Sequence, residues 1–139
     1  MNAMTIGKLA KATGVSTETI RYYERCGLLP PPDRLPSGYR VYRPESRNRL
    51  SFIKQAQNLG FTLQEIEELI ALTADDEADC AMVAEKARHK LEEIVRKIKT
   101  LKKMRAGLEI LSRRCPGDEQ PLSECCIINY LSGEEALNG

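Results

Sequence analysis

Residues 80–115, CAMVAEKARHKLEEIVRKIKTLKKMRAGLEILSRRC, decide how the rest of the chain is read. Counted from Cys80, the positions Cys80, Ala84, Ala87, Leu91, Ile94, Ile98 and Leu101 fall alternately four and three apart, the spacing of a coiled-coil seam. The pattern predicts one long helix from Cys80 to about Arg114, with a thiol on the seam at its start and Cys115 just past its end. After Leu101 the apolar positions resume at Met104, Leu108 and Leu111, one residue out of phase, so a strict supercoil is not expected throughout. A straight helix over this span is roughly 50 Å long at about 1.5 Å per residue, so its two terminal thiols cannot meet within one copy. They can meet in an antiparallel homodimer, where Cys80 of one chain sits beside Cys115 of the other.

The whole chain is consistent with such a helix. With 139 residues, 42% hydrophobic and 29% charged, and no Trp, it suits one small helical domain carrying an extended helix that leans on a partner chain. The formal net charge of +1 hides an asymmetry: residues 1–60 hold 10 Lys/Arg against 4 Asp/Glu, and residues 61–139 hold 11 against 16. A polyanion is therefore expected to meet the first part and not the second. No apolar run approaches the ~18 residues that span a bilayer, and no signal-peptide core opens the chain, so a cytoplasmic protein without membrane contact is expected. The five cysteines then read as metal ligands, reactive groups or small buried side chains before disulfides.

Upstream, residues 4–13 place Ile6, Leu9 and Ala10 on one helical face, and Gly14 stops that helix. Ser16 is a fitting N-cap for a second helix with Glu18 in its first turn. Helix, short Gly turn, helix is the helix-turn-helix pattern. Thr17, Glu18, Thr19, Arg21, Tyr22 and Arg25 offer polar tips, of which Arg can pair with guanine edges or phosphates and the Thr and Tyr hydroxyls can reach phosphate oxygens, while Val15, Ile20 and Tyr23 or Leu28 can anchor to the first helix. Periodicity alone would fit an ordinary helical hairpin equally well. The next stretch tips the balance: Pro30, Pro31, Pro32 and Pro36 end the helix, and residues 37–43, SGYRVYR, read as a short hairpin with Arg and Tyr at its tip, the wing of a winged helix.

Pro44 opens a third helix at the position where its missing N–H does no harm, and Leu50, Ile53 and Ala56 carry it to about Gly60. Thr62 and Glu65 form a capping box, with Phe61 and Ile66 as a hydrophobic staple, for a fourth helix faced by Leu63, Ile66, Leu69 and Ile70. Asp75, Asp76, Glu77 and Asp79 either favour the positive start of the long helix or form a solvated linker. Pro116 and Gly117 end the long helix, Ser123 caps a last short helix over residues 124–132, and the tail GEEALNG reads as mobile. Cys26 reads as a small core side chain facing the first domain, and His89 as a surface or seam residue.

Three segments, TIGKLAKATGVSTETIRYYERCGLL, SGYRVY and RLSFIKQAQNLGFTLQEIEELI, in this order and spacing closely resemble the DNA-binding half of the MerR family of bacterial transcription regulators. The resemblance implies a mainly α-helical fold. It has a winged helix-turn-helix DNA-binding domain with a second helical pair (residues 1–72), a hinge (73–79), an antiparallel coiled-coil dimerisation helix (80–114), and a metal-binding loop, short helix and tail (115–139). It implies no enzyme, but a regulator that binds double-stranded promoter DNA, with RNA polymerase as partner at that promoter. Readout runs through deformation of an overlong promoter, so that repression turns to activation when the effector binds. Arg21 and Tyr22 on the second helix, and Tyr39, Arg40 and Tyr42 in the wing, match positions that the family uses on DNA, with Thr17 and Thr19 beside them.

For the effector, the resemblance points to a small ion, because the chain ends before a drug-binding domain of the family's larger members would begin. The iron–sulfur branch gathers four cysteines at close spacing, which Cys115, Cys125 and Cys126 do not reproduce. The metal-sensing branch closes a loop with a cysteine at each end, here Cys115 and Cys125, and its mercury-responsive members place a third cysteine at the start of the partner's dimer helix, where Cys80 falls. Copper-sensing relatives have serine there, so Cys80 argues against a monovalent ion. Three thiolates suit soft divalent Hg(II), and also Cd(II) or Pb(II). Zn(II) would take a fourth ligand, for which Cys126, Asp118 and Glu119 are candidates. The loop is one residue longer than in the mercury-responsive branch, and Cys126 stands where that branch has proline, so the metal stays open with Hg(II) leading. A thiol redox sensor on the same scaffold, with Cys125 and Cys126 as the reactive pair, is the alternative of a different class; adjacent cysteines make a strained disulfide, which counts against it.

Overall fold

The computed structural model describes residues 4–134, so most of the expected mobile tail lies outside the described residues. Helices dominate, and they follow the punctuation of the sequence. Helix α1 covers Ile6–Thr13, capped by Thr5, whose hydroxyl accepts the Lys8 N–H at 3.3 Å. Met4 lies outside it, paired as an isolated bridge with Tyr42 through N–H···O bonds of 2.9 and 2.7 Å. Gly14 closes α1 at φ 72°, a left-handed conformation that disfavours any side chain. A Cβ there would also come 2.8 Å from Lys54 Nζ, which donates to the Thr13 carbonyl at 3.2 Å and so completes the end of α1.

Ser16 caps α2, Thr17–Arg25, by accepting the Thr19 N–H at 3.1 Å. Strands β1, Asp33–Arg34, and β2, Arg40–Val41, form an antiparallel wing hairpin, in the register Asp33 with Val41 and Arg34 with Arg40, whose first strand lies upstream of the stretch 37–43 expected to hold it, among the prolines read as ending the helix. Gly38, at φ 91°, turns its tip, and Arg43 clamps its base through a two-pronged bond to Asp33 at 2.7 and 3.3 Å. Pro44 starts α3, Pro44–Asn58, and Thr62 with Glu65 forms the full capping box of α4, Leu63–Thr73. Apolar side chains from these elements share one core: Leu9, Ile20, Tyr23, Leu28, Tyr42, Leu50, Ile53 and Ile66 are all buried. Arg49 ties α3 to the end of the α2 region by donating to the Leu28 carbonyl at 3.1 Å.

Helix α5 runs unbroken over Cys80–Arg114. Of the acidic lead-in, Asp79 accepts the Met82 N–H at 3.2 Å and caps the helix, whereas Asp75 closes a turn by accepting the Glu77 N–H at 2.9 Å. Lys86, near the start of α5, pairs with Glu68 of α4 at 3.2 Å. The chain divides into two compact units, residues 1–86 and 87–139, and α5 contributes to both.

In the second unit the seam is largely uncovered. Leu91, Leu101 and Leu108 keep 62%, 61% and 66% of their surface exposed, while Ile94 is half-buried and Leu111 buried. After α5 the loop leads to a 3₁₀ turn over Leu122–Glu124 and to α6, Cys126–Leu131. The expected Ser123 cap is therefore displaced. Ser123 sits inside the 3₁₀ turn, where its carbonyl accepts Asn129 Nδ2 at 3.4 Å, and Cys125 takes the N-cap position of α6. Among the described residues no helix is long and apolar enough to cross a membrane.

Candidate nucleic-acid interface and thiol site

On α2, Arg21 and Tyr22 are exposed, and Thr17 and Thr19 are half-buried. The Thr19 hydroxyl is engaged by Ser16 Oγ at 2.8 Å, which ties it to the cap of the helix. Tyr22 stands beside Cys26 one turn on; the hydrogen bond between their side chains raises the phenol above its ordinary range, and the Arg25 guanidinium lies 5.9 Å from the Tyr22 ring centre. Cys26 is thus not the core side chain expected of it. It caps α2 on an exposed site, because Leu28 and Leu29 fill the core just beyond Gly27.

The wing presents Tyr39, 71% exposed, near its tip, and Arg40 beside it. Arg40, Arg21 and Arg25 line one cleft of about 490 Å³, together with Ile6, Glu24 and Pro31. Three guanidinium groups from a helix and a wing in one recess form an arrangement suited to phosphate oxygens. Tyr42 does not join this surface, contrary to the expectation that it touches DNA. Its side chain is fully buried and its hydroxyl donates to Glu24, because Tyr42 lies one residue past β2, where the bridge to Met4 turns it inward. Burial and the Glu24 carboxylate push its pKa up to about 12. Glu24 is the residue that sequence reasoning passed over. An acid on a helix expected to face DNA reads as solvated, and nothing local signals its inward partner.

The thiol site gathers at the end of α5. Cys115 and Cys125 are both half-buried, with their thiols near enough for Cys115 to act on the titration of Cys125. The Cys125 thiol is held below its ordinary range, first by the Ile128 backbone N–H, then by that of Ile127 and by Cys115, with burial opposing them. Cys126 is half-buried at the first position of α6. Cys80 is exposed in the first turn of α5, and His89 is exposed midway along it. Among the described residues no group of three or more His, Cys, Asp or Glu in the single chain is arranged to hold an ion. The site brings together two of the expected ligands, Cys115 and Cys125, and leaves Cys80 open to another molecule.

A winged helix-turn-helix followed by a long helix with an apolar stripe defines a DNA-binding protein. Residues 4–73 match the MerR HTH family regulatory protein model and residues 47–111 the MerR DNA-binding model, and the chain belongs to the MerR family of transcription regulators, which are not enzymes. It is 47% identical over 126 residues to the mercuric resistance operon regulatory protein of Bacillus cereus, with 91% of this chain and 95% of that one covered. It is 41% identical over 130 residues to the regulator CueR of Escherichia coli O157:H7, with 94% and 95% covered. Among solved structures, the transcription regulator PbrR691 of Ralstonia metallidurans CH34 in complex with lead(II) superposes with a TM-score of 0.77 at 33% identity, covering 92% of this chain and 98% of that one.

Proposed function

We propose that this chain is a metal-responsive transcription regulator of a heavy-metal resistance operon. It works in the cytoplasm as an antiparallel homodimer that represses its promoter without metal and activates it with Hg(II), alongside RNA polymerase. The observation that carries the reading is the half-buried pair Cys115 and Cys125, brought together beyond the end of α5, on a chain whose third candidate ligand, Cys80, lies exposed in the first turn of that helix, whose seam is uncovered. In the dimer, Cys80 of one chain completes the pair of the other. Three soft thiolates, Cys80 from one subunit and Cys115 with Cys125 from the other, would hold a soft divalent ion and supply the negative charge that suits it. The likeness to the mercuric resistance regulator of Bacillus cereus supports Hg(II). The lead-bound relative favours Pb(II), with Cd(II), as a second reading. Zn(II) would call on Cys126 as fourth ligand.

On DNA, Arg21 and Tyr22 of α2, with Thr17 and Thr19 beside them, and Tyr39 and Arg40 of the wing contact each half-site. Two domains tied by one dimer helix pair then set the distance between those half-sites, so a bridge between subunits shifts the preference between straight and distorted duplex. The direct test titrates the purified, reduced dimer with Hg(II) while following the ultraviolet thiolate-to-metal band. A band that saturates together with a change in promoter DNA structure is expected. No band and no change in the DNA would overturn the reading. A reporter strain challenged with Hg, Cd, Pb, Zn and Cu ranks the ions.

A further inference from the structure

We propose that Glu24 is a positioning residue of the DNA-binding surface: its inward carboxylate, gripped by Tyr42, holds Arg40 of the wing in place beside Arg21 and Arg25 of α2. This rests on the reading that Arg21 and Arg40 contact DNA.

An acid in a cleft built for a polyanion is unfavourable on charge alone, since it repels the phosphates that the arginines attract. Glu24 nevertheless lines that cleft, with a side chain only 13% exposed. One of its oxygens accepts the Tyr42 hydroxyl, and the other faces Arg40 Nη1 at 3.7 Å. Arg40 also lies against the Tyr42 hydroxyl, so the three side chains form one cluster. Tyr42 has no freedom of its own, because its ring is in the core and its backbone is paired in both directions with Met4. Order therefore passes from the core to Tyr42, from Tyr42 to Glu24, and from Glu24 to Arg40. The Arg40 side chain keeps 44% of its surface, and a guanidinium has five N–H donors, so one edge can rest on Glu24 while others reach a phosphate. A long side chain ordered before binding loses less freedom when it binds.

Duplex DNA selected from a random pool by the wild-type dimer serves as the probe, fluorescently labelled and titrated at several salt concentrations. Charge counting says that Glu24→Gln tightens binding. Positioning says that it weakens binding about five- to ten-fold and lowers the salt slope by about one, the signature of one lost phosphate contact. The decisive readout is a double-mutant cycle. In an Arg40→Ala background, Glu24→Gln is expected to cost less than two-fold, because there is nothing left to position. Glu24→Gln binding as tightly as wild type or tighter would overturn the proposal, and so would an equal loss in both backgrounds, since a loosened fold weakens binding whether or not Arg40 is present. Tyr42→Phe, which keeps the ring in the core, is expected to cause a smaller loss of the same sign that also vanishes without Arg40; a loss that persists there overturns the proposal too. Wild-type affinity for both Arg21→Ala and Arg40→Ala would instead bring down the underlying DNA-contact reading.

Discussion

Tyr42, buried with its hydroxyl on Glu24, is a single side chain whose surroundings make a sharp demand. In the unfolded chain a Tyr titrates near 10, whereas folded Tyr42 holds its proton to about 12. A group whose pKa is raised by folding stabilises fully below the unfolded value and loses that contribution as pH rises toward the folded one. Between about pH 10 and 12, wild-type stability is therefore expected to fall more steeply than that of Tyr42→Phe, as urea midpoints measured across that window would show; parallel curves would mean that the hydroxyl has no special setting. Cys80 makes no comparable demand on the fold, since it is exposed and Asp79 caps the helix start without it. Cys80→Ser is expected to leave DNA affinity unchanged and to abolish the response to metal in a promoter reporter. Loss of DNA binding would instead show a structural thiol. The sequence disclosed residues of the second kind better than the first. Exposed Arg21 and Tyr39 follow from polarity and turn chemistry, but the burial of Tyr42 and the exposure of Cys26 depend on a bridge to Met4 and on which side of Gly27 the core closes.

Among the elements, those with strong local chemistry came out as read. Thr62 and Glu65 cap α4, Ser16 caps α2, and Pro44 starts α3, because each signal is a bond between residues three or four apart or a fixed backbone angle. The segment after Cys115 was harder, since Ser123 and Cys125 both offer a start for the last helix and only the 3₁₀ turn between them decides. Helix α5 is the element whose sequence and structure bear most directly on assembly. Leucines left more than half exposed along one stripe are unusual on a lone helix and fit an interface. Ile98→Asp, in the middle of that stripe, is expected to turn the dimer into a monomer by analytical ultracentrifugation. It is also expected to reduce affinity for promoter DNA about 100-fold or more, because the two half-sites are then no longer engaged together. A dimer that survives the charge would move the interface elsewhere.

At the level of the molecule, an ion held between subunits stabilises only the assembled, folded state. At free metal about 100 times its Kd, each site contributes about 2.7 kcal/mol. The dimer is therefore expected to melt at a higher temperature with Hg(II), and Cys80→Ser to remove the rise; an equal rise in the variant would place the ion without Cys80. The repeat made the long helix α5 readable from spacing alone. The proposed partner rests on geometry alone, because a helix of 35 residues lies between Cys80 and Cys115. That separation has a genetic consequence. On the proposed arrangement, a strain making only the Cys80→Ser chain, or only a Cys115→Ser chain, is expected to have no complete site in any dimer. A strain making both forms mixed dimers in which one end lacks two thiols and the other end lacks none. Two defective alleles together are thus expected to restore metal resistance that neither confers alone.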